Sequence, residues 1–173
     1  LSAEEGATRM LLESQWQFQL VDETADFAAY RAVIVPEDAA VSVDLAGRLR
    51  EYVNAGGSLI VAGRKPLQGN GGRLAGVLGV AEAGDTDCTT HYIEATPQLG
   101  LAAMQHVMYE PPALVHVAED TEVLARIVAP YFERDWDHFS SHFQTPPAET
   151  TEWPAVTRRD RAVFIASPIF GAY

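Results

Sequence analysis

Two strand-like runs separated by one helix-patterned segment and a Gly56-Gly57 pair constrain this chain more than any other feature. Arg31-Ala32-Val33-Ile34-Val35-Pro36 is β-branched without polar alternation, between a polar segment and a proline. That pattern predicts a strand buried on both faces. Ser42 is placed to cap the following helix. Leu45, Leu49, Tyr52 and Val53 fall on one helical stripe, and Asp44, Arg48, Arg50 and Glu51 on the wet side. Gly56-Gly57 predicts a left-handed helix stop, and Ser58 to Ala62 (SLIVA) a second buried strand. Strand, helix, strand within about thirty residues is a βαβ unit, which imposes parallel pairing and a right-handed crossover.

Elements can be placed around this unit. Ser2-Ala3-Glu4-Glu5 reads as a capping box opening a helix that runs to about Gln15. Gln17 to Val21 alternates polar and apolar and predicts a short strand. Arg73 to Leu78 is a short helical candidate inside a glycine-rich stretch. Further on, strand patterns take over at 89–96, 113–118, 122–128, 154–159 and 162–166, the last two joined by a tight turn at Arg159-Asp160-Arg161. The expectation is one α/β domain over residues 1–173, with a mostly parallel sheet flanked by helices and antiparallel strands toward the C-terminus. The chain begins at Leu1 and enters a helical pattern at once. It is read as a piece of something larger.

Composition removes whole classes of function. Twelve Lys and Arg against 24 Asp and Glu give a net charge of −12. Counterion release cannot drive such a surface onto a polyanion, so neither nucleic acid nor an acidic membrane is an expected partner. The longest charge-free stretch, 95–109, contains Pro97, Gly100 and His106 and is too short to span a bilayer. No signal peptide is visible, and the cytoplasm is the default compartment. The single Cys88 cannot close an internal disulfide.

Few residues carry a chemical signature. Gly69-Asn70-Gly71-Gly72 has neither GxGxxG nor GxxxxGK[ST] spacing and reads as a surface loop. A reactive Ser or Cys in an α/β fold sits on a tight strand-to-helix turn, yet SLIVA is followed by Gly63-Arg64. Cys88 follows Asp85 and Asp87, carboxylates expected to raise its pKa. His91, His106 and His116 read as hydrogen-bonded structural histidines. Asp26, Glu37 and Asp38 flank a strand end, without a partner base. No catalytic residue, cofactor or metal ligand is assigned.

The segment from Tyr131 to Trp153 is different. It holds six of the 16 aromatic residues and two of the five histidines. Asp135, His138 and His142 are spaced i, i+3, i+7, one side of a helix if the stretch is helical. That pattern carries an alternative reading, a stand-alone metal-dependent hydrolase. The alternative favoured here takes Trp136, His138, Phe139, His142, Phe143 and Trp153 as an interface or a sugar-lined cleft, because aromatic faces pack on both. A small-molecule binding module using the strand-end cleft is a third reading.

The run Phe27-Ala28-Ala29-Tyr30-Arg31-Ala32-Val33-Ile34-Val35-Pro36, followed by Leu49-Arg50-Glu51-Tyr52-Val53-Asn54-Ala55-Gly56-Gly57-Ser58-Leu59-Ile60-Val61, resembles the beta-galactosidase trimerisation domain. That module follows the catalytic barrel in glycoside hydrolase family forty-two and related glycoside hydrolases. It belongs to the flavodoxin-type, class I glutamine amidotransferase-like superfamily. Trp153 to Thr157 and Ala162 to Ala166 look like the closing strand pair of the same domain. The resemblance implies a flavodoxin-like fold, a homo-oligomer (a trimer in the family) and a neighbouring catalytic barrel that handles carbohydrate. An active amidotransferase-like member would carry a cysteine at the turn after SLIVA. With Gly63-Arg64 there, the resemblance implies a non-catalytic member whose work is assembly and shaping of an adjacent cleft.

Overall fold

The structure, a computed structural model, describes residues 2–173 other than Asp85, Asp87 and Ala103. Helix α1 (Ala3–Glu13) opens with the expected capping box. Ser2 Oγ accepts from the Glu5 amide at 3.2 Å, and Glu5 Oε2 accepts from the Ser2 amide at 3.0 Å. No strand forms at 17–21. The segment runs as coil with Trp16, Leu20 and Val21 exposed, so its alternating pattern has no pairing partner and no core to face.

The βαβ unit is present as read. Strand β1 (Ala32–Val35) pairs parallel with β2 (Ser58–Ala62), and α2 (Val43–Asn54) crosses between them. Ser42 Oγ caps α2 by accepting from the Leu45 amide at 3.1 Å. At its other end Gly56 N–H donates to Val53 O and Gly57 N–H to Tyr52 O, the paired bonds of a Schellman stop, with Gly56 at φ +97°. Strand β1 has both faces covered, Val33 and Val35 toward the main core and Ile34 toward α1, but as the outermost strand it is only partly buried, with Ala32 exposed and Val35 alone fully buried.

The remaining elements are α3 (Arg73–Leu78), β3 (Val80–Gly84), β4 (His91–Ala95), β5 (Gln105–Met108), β6 (Leu114–Val117), β7 (Glu122–Pro130), β8 (Pro147–Arg159) and β9 (Ala162–Ile165). The main sheet has the order β1-β2-β9-β8-β7-β4-β5, and β3 pairs with β6 in a separate ribbon. The sheet is mixed. Its pairings β1–β2 and β2–β9 are parallel, and the other four are antiparallel. The physical reason lies in the connections: only the β1–α2–β2 segment has a crossover helix, and the tight turn after β8 forces β9 back alongside it. That turn carries Asp160 at φ +51°, a conformation an Asp tolerates better than most residues.

Two faces of the parallel half are covered. Leu59, Val61, Phe164 and Ala162 point at α2 and α3, where Leu49, Leu74 and Leu78 complete the main core. Ile34, Ala62 and Ile165 point the other way, under α1 and Phe170. Alternation along strands with a period of two sets this division. The antiparallel half has its own cluster around Ile93, Leu124, Ile127 and Val156, with Trp153 packed on its margin.

Candidate functional site

The carboxyl end of β1 and β2 is where an open α/β sheet would place a ligand. Here it is filled. Glu37 Oε1 accepts from the Gly171 amide at 2.6 Å, and Asp38 Oδ2 accepts from the Ala3 amide at 3.2 Å, so these carboxylates tie down the two terminal segments. Asp26 lies at the opposite end of β1, capping a single 3-10 turn through the Ala28 amide. Gly63, at the turn after β2, has φ +70°, and a Cβ there would stand 2.4 Å from Glu37 Cβ. The turn after β2 therefore has no room for a side chain.

A buried polar cluster lies elsewhere, between β4 and the chain after β9. His91 is 0% exposed, and its Nε2 is 2.8 Å from Ser167 Oγ, while Nδ1 is buried without a partner. Burial holds its pKa down to about 4, against a weaker upward pull from the Glu133 carboxylate. The Cys88 thiol donates to Thr90 O at 2.9 Å and is pushed up to about 12, chiefly by burial and then by Glu133. The carboxylate acting on Cys88 is therefore a distant one in sequence; Asp85 and Asp87 lie outside the described residues. An inert thiol and a neutral imidazole make this cluster a packing element.

His91 gives a pH signature. The unfolded imidazole titrates near 6.5 and the folded one near 4, so between these values the unfolded chain binds more protons. Stability is complete above about pH 6.5 and falls as the pH drops toward 4, by up to roughly 3 kcal/mol from this group. Urea midpoints compared for the native chain and His91→Asn should show a steeper acid loss in the native chain. Parallel profiles would mean that His91 titrates normally in the fold.

Of the other histidines, His116 stacks on Trp153 at 5.3 Å, and His106 Nε2 is buried without a partner. Trp153 lies on β8, outside the loop formed by residues 131–146.

The aromatic segment, residues 131–146, is a closed loop rather than a helix. Its neck is pinned several times over. Tyr131 N–H donates to Pro146 O at 2.8 Å, and Thr145 Oγ1 donates to Phe132 O at 2.7 Å. The Tyr92 hydroxyl on β4 donates to Thr145 O, and the Thr89 hydroxyl donates to Glu133 Oε2 at 3.1 Å. At the tip, Asp135 Oδ1 accepts from the Asp137 and His138 amides at 2.8 and 2.7 Å and lies 3.0 Å from His138 Nδ1. These bonds, the His138 amide foremost, hold the Asp135 carboxyl below its usual range. The tight turn they make leaves Trp136 97% exposed.

Because the loop is not helical, the i, i+3, i+7 grouping does not form as a unit. Asp135 and His138 meet in the turn, whereas the His142 amide turns to Ser140 Oγ. Among the described residues, no group of three His, Cys, Asp or Glu side chains is placed to hold a metal ion. No helix among them is long and apolar enough to cross a membrane.

What the loop does assemble is an open groove of about 710 Å3, lined by Thr89, Thr90, Glu133, Arg134, Asp135, Trp136, Phe139 and Phe143. Three of the six residues singled out in the sequence, Trp136, Phe139 and Phe143, share it. His138 packs on Phe132 at 5.8 Å, and Trp153 sits away on β8. Glu133, with Oε1 buried and unpartnered, and the Thr89-Thr90 floor were missed. They lie more than forty residues before the loop tip or carry no motif, so no local pattern announces them.

With this geometry in view, the chain can be compared with known proteins. A family model described as the beta-galactosidase trimerisation domain matches residues 9–75. Alpha-L-fucosidase isoenzyme 2 from Paenibacillus thiaminolyticus superposes over 99% of this chain with a TM-score of 0.82 and 25% identity. A cold-adapted beta-galactosidase from Rahnella sp. R3 covers 95% at a TM-score of 0.68 and 20% identity, and the exo-beta-1,4-mannosidase Op5Man5 from Opitutaceae bacterium strain TAV5 covers 96% at 0.66 and 12%. This chain spans only about a quarter of each of them, 26%, 24% and 26% respectively. No curated protein matches the chain. Fold and comparisons together make this an α/β domain similar to a domain found in glycoside hydrolases of known structure. Within that class it is similar to the beta-galactosidase trimerisation domain.

Proposed function

We propose that this chain is a non-catalytic assembly and cleft-shaping domain of a glycoside hydrolase acting on carbohydrate. Its flavodoxin-like, amidotransferase-like fold packs against the catalytic barrel of the parent chain and builds a homo-oligomer, in which a trimer closed by heterologous contacts is the favoured form. The observation that carries this reading is Trp136, 97% exposed at the tip of a loop whose neck is pinned by Thr145 and Tyr92. A free surface would not hold an indole in water on so rigid a support, and interfaces draw much of their energy from Trp anchors. The loop presents Trp136, Phe139 and Phe143 to a neighbouring subunit or its sugar-binding cleft. The filled strand end at Glu37 and Gly63 supports the non-catalytic part of the reading.

The test is the solution mass of the chain and of its parent by light scattering over a range of concentrations, with Trp136→Ala alongside. An anchor of this type contributes about 2 kcal/mol or more, so Trp136→Ala is expected to weaken association about thirtyfold while leaving the melting temperature unchanged. Assembly and sugar affinity that survive both Trp136→Ala and His138→Ala would remove the loop from this role.

A further inference from the structure

A second pocket, about 570 Å3, opens at the amino ends of β1, β2 and β9, the end of the sheet away from Glu37. Its walls include Arg31, Arg48 and Arg161. This is unexpected in a chain with a net charge of −12, where cations are scarce and mostly engaged. Four arginines pair with carboxylates, three cationic side chains donate to backbone carbonyls, and Arg134 lies over Phe139. Among the described residues, Arg31, Arg50, Arg73 and Arg161 are left without a partner, and two of these four line the same pocket.

Their spacing suits one shared ligand. Arg31 O accepts from the Ser58 amide at 3.2 Å and Arg161 O from the Leu59 amide at 2.9 Å, so the two residues flank the start of β2 from opposite sides. Two strand spacings separate them, about 10 Å, a gap that two long guanidinium stems can close over Gly57 and Ser58. Arg48 adds a fixed charge, since its Nη2 donates to Ala25 O and its guanidinium lies 4.7 Å from the Phe27 ring centroid. Asp26 and Glu51 also line the pocket, which leaves one net positive charge from three arginines and two carboxylates. Asp26 is already occupied by the Ala28 amide. Two unpartnered arginines lining one space carry like charges, and an oxyanion between them would remove their repulsion by forming charge-assisted, fork-shaped bonds.

We propose that Arg31 and Arg161 hold the oxyanion of a small organic molecule, a phosphate ester or a carboxylate. The space is larger than a bare phosphate needs and falls within the usual range for small-molecule pockets. The site stands apart from the aromatic loop and does not depend on the assembly role.

Melting temperatures of the chain at constant ionic strength test it, with chloride, inorganic phosphate and malonate as the added anions. Three proteins are compared: the native chain, Arg31→Gln/Arg161→Gln, and Arg50→Gln/Arg73→Gln as the control that removes the other two unpartnered arginines. Phosphate or malonate at about ten times its dissociation constant should raise the melting temperature by about 3 °C over chloride in the native and control proteins, and not in Arg31→Gln/Arg161→Gln. A rise with phosphate alone assigns phosphate esters, and a rise with malonate alone assigns carboxylates. Equal shifts in all three proteins, or none beyond chloride, would overturn the site. Modification by an arginine-selective reagent, mapped by mass spectrometry, gives a readout independent of folding. Phosphate or malonate should shield Arg31 and Arg161 but not Arg50 and Arg73.

Discussion

Phe164→Ala is expected to lower the unfolding free energy by about 3–5 kcal/mol. Phe164 is 1% exposed on β9, a central strand bonded to β2 on one side and β8 on the other. Its ring faces the core shared with α2 and α3, where Leu49, Leu59, Leu74 and Leu78 are also fully buried. A cavity there cannot collapse easily, because β2 and β8 hold β9 on either side and residues of α2 and α3 pack over it. For a domain of this size the change amounts to a fall of about 10 °C in melting temperature. Urea denaturation checks it, with the midpoint moving and the slope preserved. Phe139→Ala, which removes the same atoms from an exposed position, should stay within about 0.5 kcal/mol of the native chain. Similar losses for the two would contradict the placement of β9 in the centre of the sheet.

The second large effect is expected at Gly63. Gly63→Ala combines a left-handed backbone, worth about 1–2 kcal/mol against an L residue, with a collision. Its new Cβ would stand 2.4 Å from Glu37 Cβ and 3.2 Å from Glu37 Cα. Those are atoms at the root of the side chain, so no rotamer change relieves them, and overpacking of this kind costs about 1–3 kcal/mol more. The total is about 2–5 kcal/mol. Gly56→Ala separates the two causes. Gly56 has φ +97° with nothing within 4 Å, so only the backbone cost of about 1 kcal/mol should appear there. Chemical denaturation of both variants provides the comparison. If Gly63→Ala is no worse than Gly56→Ala, the turn has room for a side chain, and the argument that it excludes a nucleophile fails. Gly63→Cys should likewise destabilise the chain without creating a reactive thiol.

How far the sequence could be read depended on how local each feature is. The capping box at Ser2 and Glu5, the Ser42 cap, the Gly56-Gly57 stop and the turn at Asp160 all involve partners within five residues, and each appears as read. The βαβ unit was legible for the same reason, since its helix stripe and its two apolar strands lie in one continuous stretch. The strand read at 17–21 failed because alternation is necessary for a half-buried strand but cannot supply the neighbour that pairs with it. Strands β3 and β5 were not read at all, being short and weakly patterned. The spacing of Asp135, His138 and His142 misled in another way: it presumed a helix, whereas the side chain of Asp135 binds the backbone of the next turn and competes with helix formation.

The sequence by itself determined the α/β class, the parallel unit, the closing hairpin and the lack of a nucleophile after SLIVA. All of these rest on residue type and short spacing. Tertiary structure alone decided which strand lies at the edge, which aromatic residues share a groove, and which groups perturb His91 and Cys88. Glu133 acts on Cys88 across the fold, Tyr92 pins Thr145, and Arg31 and Arg161 flank β2 from either side. Such pairs are chosen by sheet order and register, and these follow from how the whole core packs rather than from any segment of the chain.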